Sequence, residues 1–98
     1  MKKLAPETRV ETLAVRVTGK VQGVGFRMAA VRRAHSLGVA GWVRNLDDGS
    51  VEALLQGPHD CIDKMLSWLH IGPPAAQVAQ VDTEDVHDDR RYDRFEQI

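Results

Sequence analysis

Apolar and polar residues alternate over residues 12–18, which predicts the first strand of the chain. The apolar positions of one face are Leu13, Val15 and Val17. A period of two is typical of a strand with one buried face. Residues 1–9 have no periodicity, so we interpret them as a flexible N-terminal arm before a single domain over residues 10–98.

The apolar period changes to three or four residues in two later segments, and each predicts a helix packed by one face. The first stripe consists of Phe26, Ala30, Ala34 and Leu37, and Gly38 is placed as its C-terminal cap. The second stripe consists of Ile62, Met65, Leu66 and Leu69. Pro58 suits the first turn of that helix, and the sequence Gly72-Pro73-Pro74 ends it.

Residues 41–46 and 51–56 predict a hairpin, because the Asp48-Gly49 pair between them is a strong turn signal. Residues 78–86 predict a fourth strand, and the carboxylates that follow favour a solvated edge over a metal site. Residues 92–98 could form a short final strand, but the pattern does not decide it. The order β-α-β-β-α-β predicts a ferredoxin-like α+β sandwich, with two helices on one face of an antiparallel sheet.

Length and composition limit the protein to one small domain of ordinary globular character, with 98 residues, 43% of them hydrophobic. Cys61 is the single cysteine, which excludes an intrachain disulfide and Cys-x-x-Cys metal sites. We interpret it as a free thiol on a helix. The four histidines share no motif spacing and are predicted to lie at the surface. No apolar run reaches membrane-spanning length, and we expect a cytoplasmic protein.

Charge is unevenly distributed although the net charge is only −1. Residues 1–44 carry nine Lys or Arg and two Asp or Glu, whereas residues 45–98 carry four and twelve. A positive potential over the first half would attract an anionic ligand. The alternative is that these charges only solvate helix and strand faces.

The chemistry-bearing stretch is Gly-Lys-Val-Gln-Gly-Val-Gly-Phe-Arg at residues 19–27, here called the glycine loop. Glycine allows positive φ angles, and successive N–H groups before a helix can bind an oxyanion, most plausibly a phosphate. Arg27 would add a planar fork of donors. The loop is not a dinucleotide fingerprint, because Met28 stands at the third glycine, and it lacks the Gly-Lys-Ser/Thr of a P-loop. A flexible connection with a surface arginine remains the alternative.

Two stretches together resemble the acylphosphatase family. Residues 17–27 are similar to its first signature throughout, and Gly41-Trp42-Val43-Arg44-Asn45, with Gly49, Val51 and Gly57, is similar to its second. The signatures cover residues 17–57, and the order of elements extends the resemblance over roughly residues 10–98.

This resemblance implies hydrolysis of the carboxyl–phosphate bond of a small acyl phosphate to a carboxylate and inorganic phosphate. It implies that Arg27 and the loop amides bind the phosphate, and that Asn45 holds the attacking water. The loop residues concerned are Gln22, Gly23, Val24, Gly25, Phe26 and Arg27. It also implies a monomer without metal or cofactor and without a membrane or nucleic-acid partner. Inorganic phosphate is then expected as product and competitive inhibitor.

Other readings of the same residues stay open at this stage. Asn45 precedes a turn and could be structural, since asparagine is a common turn residue. A ferredoxin-like domain could be a non-enzymatic binding module, because fold alone does not decide function. It could also belong to a larger carbamoyl-phosphate-processing assembly. RNA binding is disfavoured, because the chain has only five aromatic residues and no RRM-type run.

Overall fold

The computed structural model describes residues 9–98, so the arm predicted over residues 1–9 lies, apart from Arg9, outside the described residues. The elements along the chain are β1 (Val10–Lys20), α1 (Phe26–Leu37), β2 (Ala40–Asn45), β3 (Val51–Pro58), α2 (His59–Leu69), β4 (Gln77–Asp85) and β5 (Phe95–Gln97). The predicted order of two helices and four strands is confirmed, and the strand left open near the C-terminus is present.

The bounds of the strands differ by one to three residues from the sequence-based expectation, and two of the differences have a clear local cause. Pro58 is not in the first turn of α2 but ends β3, with φ −62° and ψ 149°, and forms the N-cap of the helix. β2 ends at Asn45 instead of residue 46, because Leu46 already belongs to the hairpin turn. Its N–H donates to the carbonyl of Ser50 at 2.9 Å, and the N–H of Gly49 returns to the carbonyl of Leu46 at 3.1 Å.

The sheet has the strand order β4-β1-β3-β2-β5. The four predicted strands are antiparallel to one another, which confirms the ferredoxin-like arrangement. The additional strand β5, whose direction the sequence did not predict, runs parallel to β2, so the five-stranded sheet is mixed. The reason is the route of the chain between β4 and β5. Val86 N–H bonds the carbonyl of Thr12, near the start of β1, and the carbonyl of Arg94 accepts from Gly41, at the start of β2. The connection thus runs along one end of the sheet, from the start of β1 to the start of β2, and β5 therefore runs in the same direction as β2.

Gln56 holds this connection in place. Its side chain is 3% exposed, and its amide donates to Thr12 Oγ1 at 3.0 Å and to the carbonyl of Arg90 at 2.7 Å. Its carbonyl oxygen accepts from the N–H of Tyr92 at 2.8 Å. All its hydrogen-bonding groups are therefore used inside the protein, as a buried amide requires.

The hydrophobic core lies between the sheet and the two helices. Its largest fully buried side chains are Phe26, Phe95, Leu55, Met65 and Leu69. The apolar helix faces predicted from the sequence form the helical side of this core, although Leu37 and Leu66 are only partly buried at its margin. Gly38 caps α1 in the left-handed region at φ 73°, as expected, and Cys61 is a half-buried thiol.

β1 and β2 end at the same end of the sheet, where β3 begins, because β3 is antiparallel to both. The parallel direction of β5 brings its last residue, Gln97, toward that end as well. The N-terminus of α1 follows β1 directly through residues 21–25. The glycine loop, Asn45 and Gln97 are consequently gathered at one end of the molecule.

Candidate active site

The backbone of the glycine loop depends on two glycines in the left-handed region. Gly23 has φ 72° and Gly25, the N-cap of α1, has φ 76°. A Cβ built on either residue would meet no atom within 4 Å. Close packing therefore does not explain these glycines, and the backbone conformation does, because L-residues adopt it at a cost.

The loop leaves a group of backbone donors without protein partners. Within residues 9–98, no N–H group from Gln22 to Gly25 donates to a carbonyl oxygen or to a side chain. No side chain caps α1, so the N–H groups of its first turn also lack the acceptor that a capping residue would provide. This combination of unpaired N–H groups and the positive end of a helix dipole suits an anion.

Phe26 anchors the loop to the core and so determines where Arg27 lies. The Phe26 ring is 2% exposed and its centroid is 5.6 Å from that of Trp68. The next residue is turned by about 100° around the helix axis. Arg27 is accordingly half-buried and lines a surface cleft in place of the core.

The cleft has a volume of about 190 Å³ and contains most of the residues singled out from the sequence. Its lining consists of Val21, Gln22, Gly23, Gly25, Phe26, Arg27, Met28, Asn45 and Gln97. Val24 lies in the same loop but packs against the core, outside this lining. A larger cavity of about 550 Å³ occurs beside the start of β1, but Glu11, Asp85, Asp88 and Asp89 line it, and their charges would repel an anion.

The two polar side chains expected to carry the chemistry are unengaged in the cleft. Within the described residues Arg27 forms no ion pair and no hydrogen bond through its guanidinium. No side-chain hydrogen bond involves Asn45 in residues 9–98, and the residue is half-buried. The guanidinium and the amide are therefore free to bind a ligand and a water.

Gln22 fastens the glycine loop to the β2–β3 turn. Its Nε2 donates to the carbonyl of Leu46 at 2.8 Å and to the carbonyl of Ser50 at 2.9 Å. These are the two carbonyls that close the turn after Asn45. The sequence suggested only the backbone amide of Gln22 as a site group, whereas its side chain connects the two halves of the cleft.

The turn itself is organised by Asp48. Asp48 Oδ1 accepts from the Ser50 hydroxyl at 2.5 Å and from the Ser50 N–H at 3.0 Å. Arg16, from β1, donates to Asp48 Oδ2 and, through Nε, to Ser50 Oγ at 3.3 Å. The Ser50 hydrogen bonds, with a smaller contribution from the Arg16 charge, lower the pKa of the Asp48 carboxyl, which therefore stays ionised at neutral pH.

Some residues lie where the sequence did not suggest. Gly19 serves the sheet, since a Cβ there would be 2.2 Å from the carbonyl oxygen of Gln77 at the irregularity between β1 and β4. Met28 and Gln97 also line the cleft, although the sequence analysis did not predict it. Met28 belongs to no recognisable motif, and Gln97 reaches the cleft only because β5 pairs in parallel with β2.

Neither metal-binding clusters nor membrane-spanning helices are found in the part of the chain that the structure describes. No three His, Cys, Asp or Glu side chains within residues 9–98 are placed to hold a metal ion. Neither described helix has the length and hydropathy needed to cross a bilayer. All four histidines are exposed, as the sequence predicted.

Comparison with known proteins identifies the family. The acylphosphatase family model matches residues 13–97, which include both halves of the cleft. The chain belongs to the acylphosphatase family. It is also 60% identical over 96 residues to an acylphosphatase of Paraburkholderia xenovorans, covering 96% of this chain and 99% of that relative.

Solved acylphosphatases share the fold over nearly the whole chain. The structure of an acylphosphatase from Coxiella burnetii superposes with a TM-score of 0.86 at 38% identity, covering 91% of this chain and 93% of the other. An acylphosphatase from Bacillus subtilis superposes with a TM-score of 0.87 at 32% identity, covering 90% and 98%. The resemblance inferred from two short signatures is thus confirmed at the level of family and fold.

Replacing Gly25 by alanine tests whether the left-handed loop backbone is needed for phosphate binding. Gly38 offers a matched control, because it has nearly the same φ, 73° against 76°, and equally open space around a built Cβ. We expect Gly25→Ala and Gly38→Ala to lose similar stability, about 1–2 kcal/mol each. Only Gly25→Ala should also lose turnover, by about tenfold or more, because it alone displaces the loop amides.

The measurements are thermal unfolding and steady-state hydrolysis of a synthetic acyl phosphate. Equal turnover per folded molecule in the two variants would show that the backbone at Gly25 does not contribute to the site.

Proposed function

We propose that the protein hydrolyses small acyl phosphates in the cleft between the glycine loop and the β2–β3 turn. One observation carries the proposal: an arginine, loop N–H groups and an asparagine amide that have no partner within residues 9–98 meet in one cleft of about 190 Å³. Membership of the acylphosphatase family supports the same reaction. Water attacks phosphorus, the bond from phosphorus to the carboxylate oxygen breaks, and a carboxylate, inorganic phosphate and a proton are released.

Arg27 and the loop amides from Gln22 to Phe26 bind the phosphoryl group in this proposal. The guanidinium presents a planar fork that suits two phosphoryl oxygens, and the N–H groups can surround the remaining one. Phosphoryl transfer commonly passes through a loose transition state whose charge is spread over these oxygens. Fixed donors aimed at that charge are then the main source of rate acceleration.

The leaving group explains why the cleft can work without a general acid. A carboxylic acid has a pKa of about 4, so the carboxylate departs at neutral pH without a proton. The cleft lining accordingly needs no Asp, Glu or His, and none of the described residues that line it is of these types. An alkyl phosphate ester, whose alkoxide is a far poorer leaving group, would require such a proton donor.

Asn45 positions the attacking water. Its side chain has both an acceptor oxygen and two N–H donors, so it can accept from the water and orient its lone pair. An amide is not a strong base, but a loose transition state demands little nucleophilic assistance. The location of Asn45 at the end of β2, across the cleft from the loop, supports this division of roles.

The proposal includes a monomer that acts in the cytoplasm without metal, cofactor, membrane or nucleic-acid partner. The monomeric state is part of what the resemblance to the acylphosphatase family implies. Inorganic phosphate is the product and should also compete with the substrate, because the cleft recognises the phosphoryl group. Turnover should persist in EDTA, since Arg27 and the amides supply the positive charge in place of Mg²⁺.

Arg27→Lys separates the geometry of the guanidinium from its charge. Lysine keeps the positive charge but loses the two-pronged donor, so we expect turnover to fall by about 10²–10³. Arg33→Lys on the exposed side of the same helix is the matched control and should leave turnover unchanged. Steady-state rates with a synthetic acyl phosphate measure both. A normal rate in Arg27→Lys would mean that Arg27 acts as a point charge only or lies outside the reaction.

Asn45→Ala separates binding from chemistry. If Asn45 positions water, this variant should retain its affinity for inorganic phosphate while kcat falls, because an interaction made mainly in the transition state lowers kcat and kcat/KM together. Asn45→Asp has nearly the same shape but introduces a negative charge, which should weaken phosphate binding as well. Turnover, phosphate inhibition and thermal unfolding should be measured for both variants.

A structural asparagine would give the opposite pattern. Both variants would lose stability, and the turnover of the folded fraction would stay near that of the unmodified protein. Normal turnover of Asn45→Ala after correction for folded fraction rules out the water-positioning role.

A further inference from the structure

We propose that Arg16 and Asp48 are positioning residues for this reaction: they fix the β2–β3 turn against β1 and thereby fix the location of Asn45. The inference rests on the proposed function, since it takes Asn45 as the group that holds water. Neither residue lines the cleft, so neither is expected to touch the substrate.

Arg16 and the turn are joined by a closed ring of hydrogen bonds. Arg16 donates through Nη2 to Asp48 Oδ2 and through Nε to Ser50 Oγ, and Ser50 donates in turn to Asp48 Oδ1. Arg16 is separated along the chain from Asp48 by 32 positions and from Ser50 by 34 positions. The ring therefore restrains the turn relative to β1 and not merely within itself.

Arg16 has other carboxylates near it, so its pairing with Asp48 is not explained by the lack of an alternative partner. In the sheet register Arg16 lies opposite Glu52 on one side and Asp82 on the other. Its ion pair is nevertheless with Asp48 of the turn, and Glu52 pairs with Arg44 instead. A surface arginine that only balanced local charge could have been satisfied across the strand.

The restraint passes to Asn45 through a short covalent and hydrogen-bonded path. Ser50 is 3% exposed, and its carbonyl accepts from the N–H of Leu46, the residue that follows Asn45. The same carbonyl accepts from Gln22 of the glycine loop at 2.9 Å. Gln22 holds Ser50 from the side of the glycine loop, and Arg16 holds it from the sheet face away from the helices. Asn45 is connected to Ser50 through the next residue, Leu46.

The energetics favour a positional effect over a stabilising one. The side chains of Arg16 and Asp48 are 51% and 49% exposed, and ion pairs at such exposure contribute little to folding stability. A displacement of about 1 Å of a group that orients a reactant can still reduce the rate by up to about 10²-fold. Loss of the pair should therefore be visible in kcat before it is visible in unfolding.

The experiment compares Arg16→Gln and Asp48→Asn with the unmodified protein. Asp48→Asn keeps an oxygen that can accept from Ser50 but loses the ionic partner of Arg16. We expect each variant to reduce kcat by about tenfold, with a much smaller change in the inhibition constant of inorganic phosphate, because Phe26 in the core and the left-handed glycines hold Arg27 and most loop amides independently of the turn. Arg16→Lys should recover part of the rate, and the double variant should be no slower than either single variant.

Arg44→Gln is the matched control. It breaks the pair between Arg44 and Glu52 on the same sheet face, at similar exposure of 47% and 31%, and Arg44 makes no side-chain hydrogen bond to the turn within the described residues. It should keep normal kcat. Equal losses in Arg44→Gln and Arg16→Gln, an unchanged kcat in Arg16→Gln, or a parallel loss of phosphate affinity would each overturn the inference.

Combining Arg16→Gln with Asn45→Ala distinguishes this inference from the proposed function. Once Asn45 is absent, removal of Arg16 should have no further effect on kcat. If Arg16→Gln slows the Asn45→Ala protein as much as the unmodified one, the positioning role is wrong while the role of Asn45 stands. If Asn45→Ala alone has normal kcat, the water-holding role itself fails, and the positioning role fails with it.

Discussion

The constraint on which the site depends is a short backbone segment that cannot satisfy its own N–H groups. Residues 22–25 lie between a strand and a helix, and two left-handed glycines keep their donors out of either hydrogen-bonding pattern. Unpaired donors of this kind are costly when buried away from water, so they persist at a surface cleft where water or an anion can reach them. This is the physical basis of the proposal that the cleft binds a phosphoryl group.

The fold keeps this segment rigid from several directions. Phe26 fixes its helical end in the core against Trp68, and Gln22 fixes its strand end to the turn that follows Asn45. Arg16 then ties the same turn to β1 from the opposite face of the sheet. The backbone of the glycine loop and of the turn after Asn45 is thus held from several sides, and fixed donors of this kind are what the proposed electrostatic stabilisation requires.

The sequence predicted the elements well because each had a local signal. The alternation around Val15, the helical stripe that begins at Phe26 and the Asp48-Gly49 turn all depend on near neighbours. The direction of β5 could not be predicted in this way, because it depends on how the chain crosses the sheet end near Gln56.

The same distinction applies to the site. Arg27 and Asn45 stand in recognisable motifs, and the structure brings both to one cleft. Gln97 and Arg16 have no local sequence signal. Gln97 lines the cleft, and Arg16 contacts the turn, only because the strands pair as they do. The sequence also grouped Gly19 with the loop glycines, although its neighbours show that it allows close approach of β4.

The central claim, that the glycine loop binds the phosphoryl group, is tested most directly by titrating the ¹⁵N-labelled protein with inorganic phosphate in EDTA. The account predicts saturable chemical-shift changes concentrated in the backbone amides of residues 22–27 and the Arg27 Nε, with a dissociation constant equal to the competitive inhibition constant. Changes confined to other arginines, or shifts that do not saturate, would contradict it.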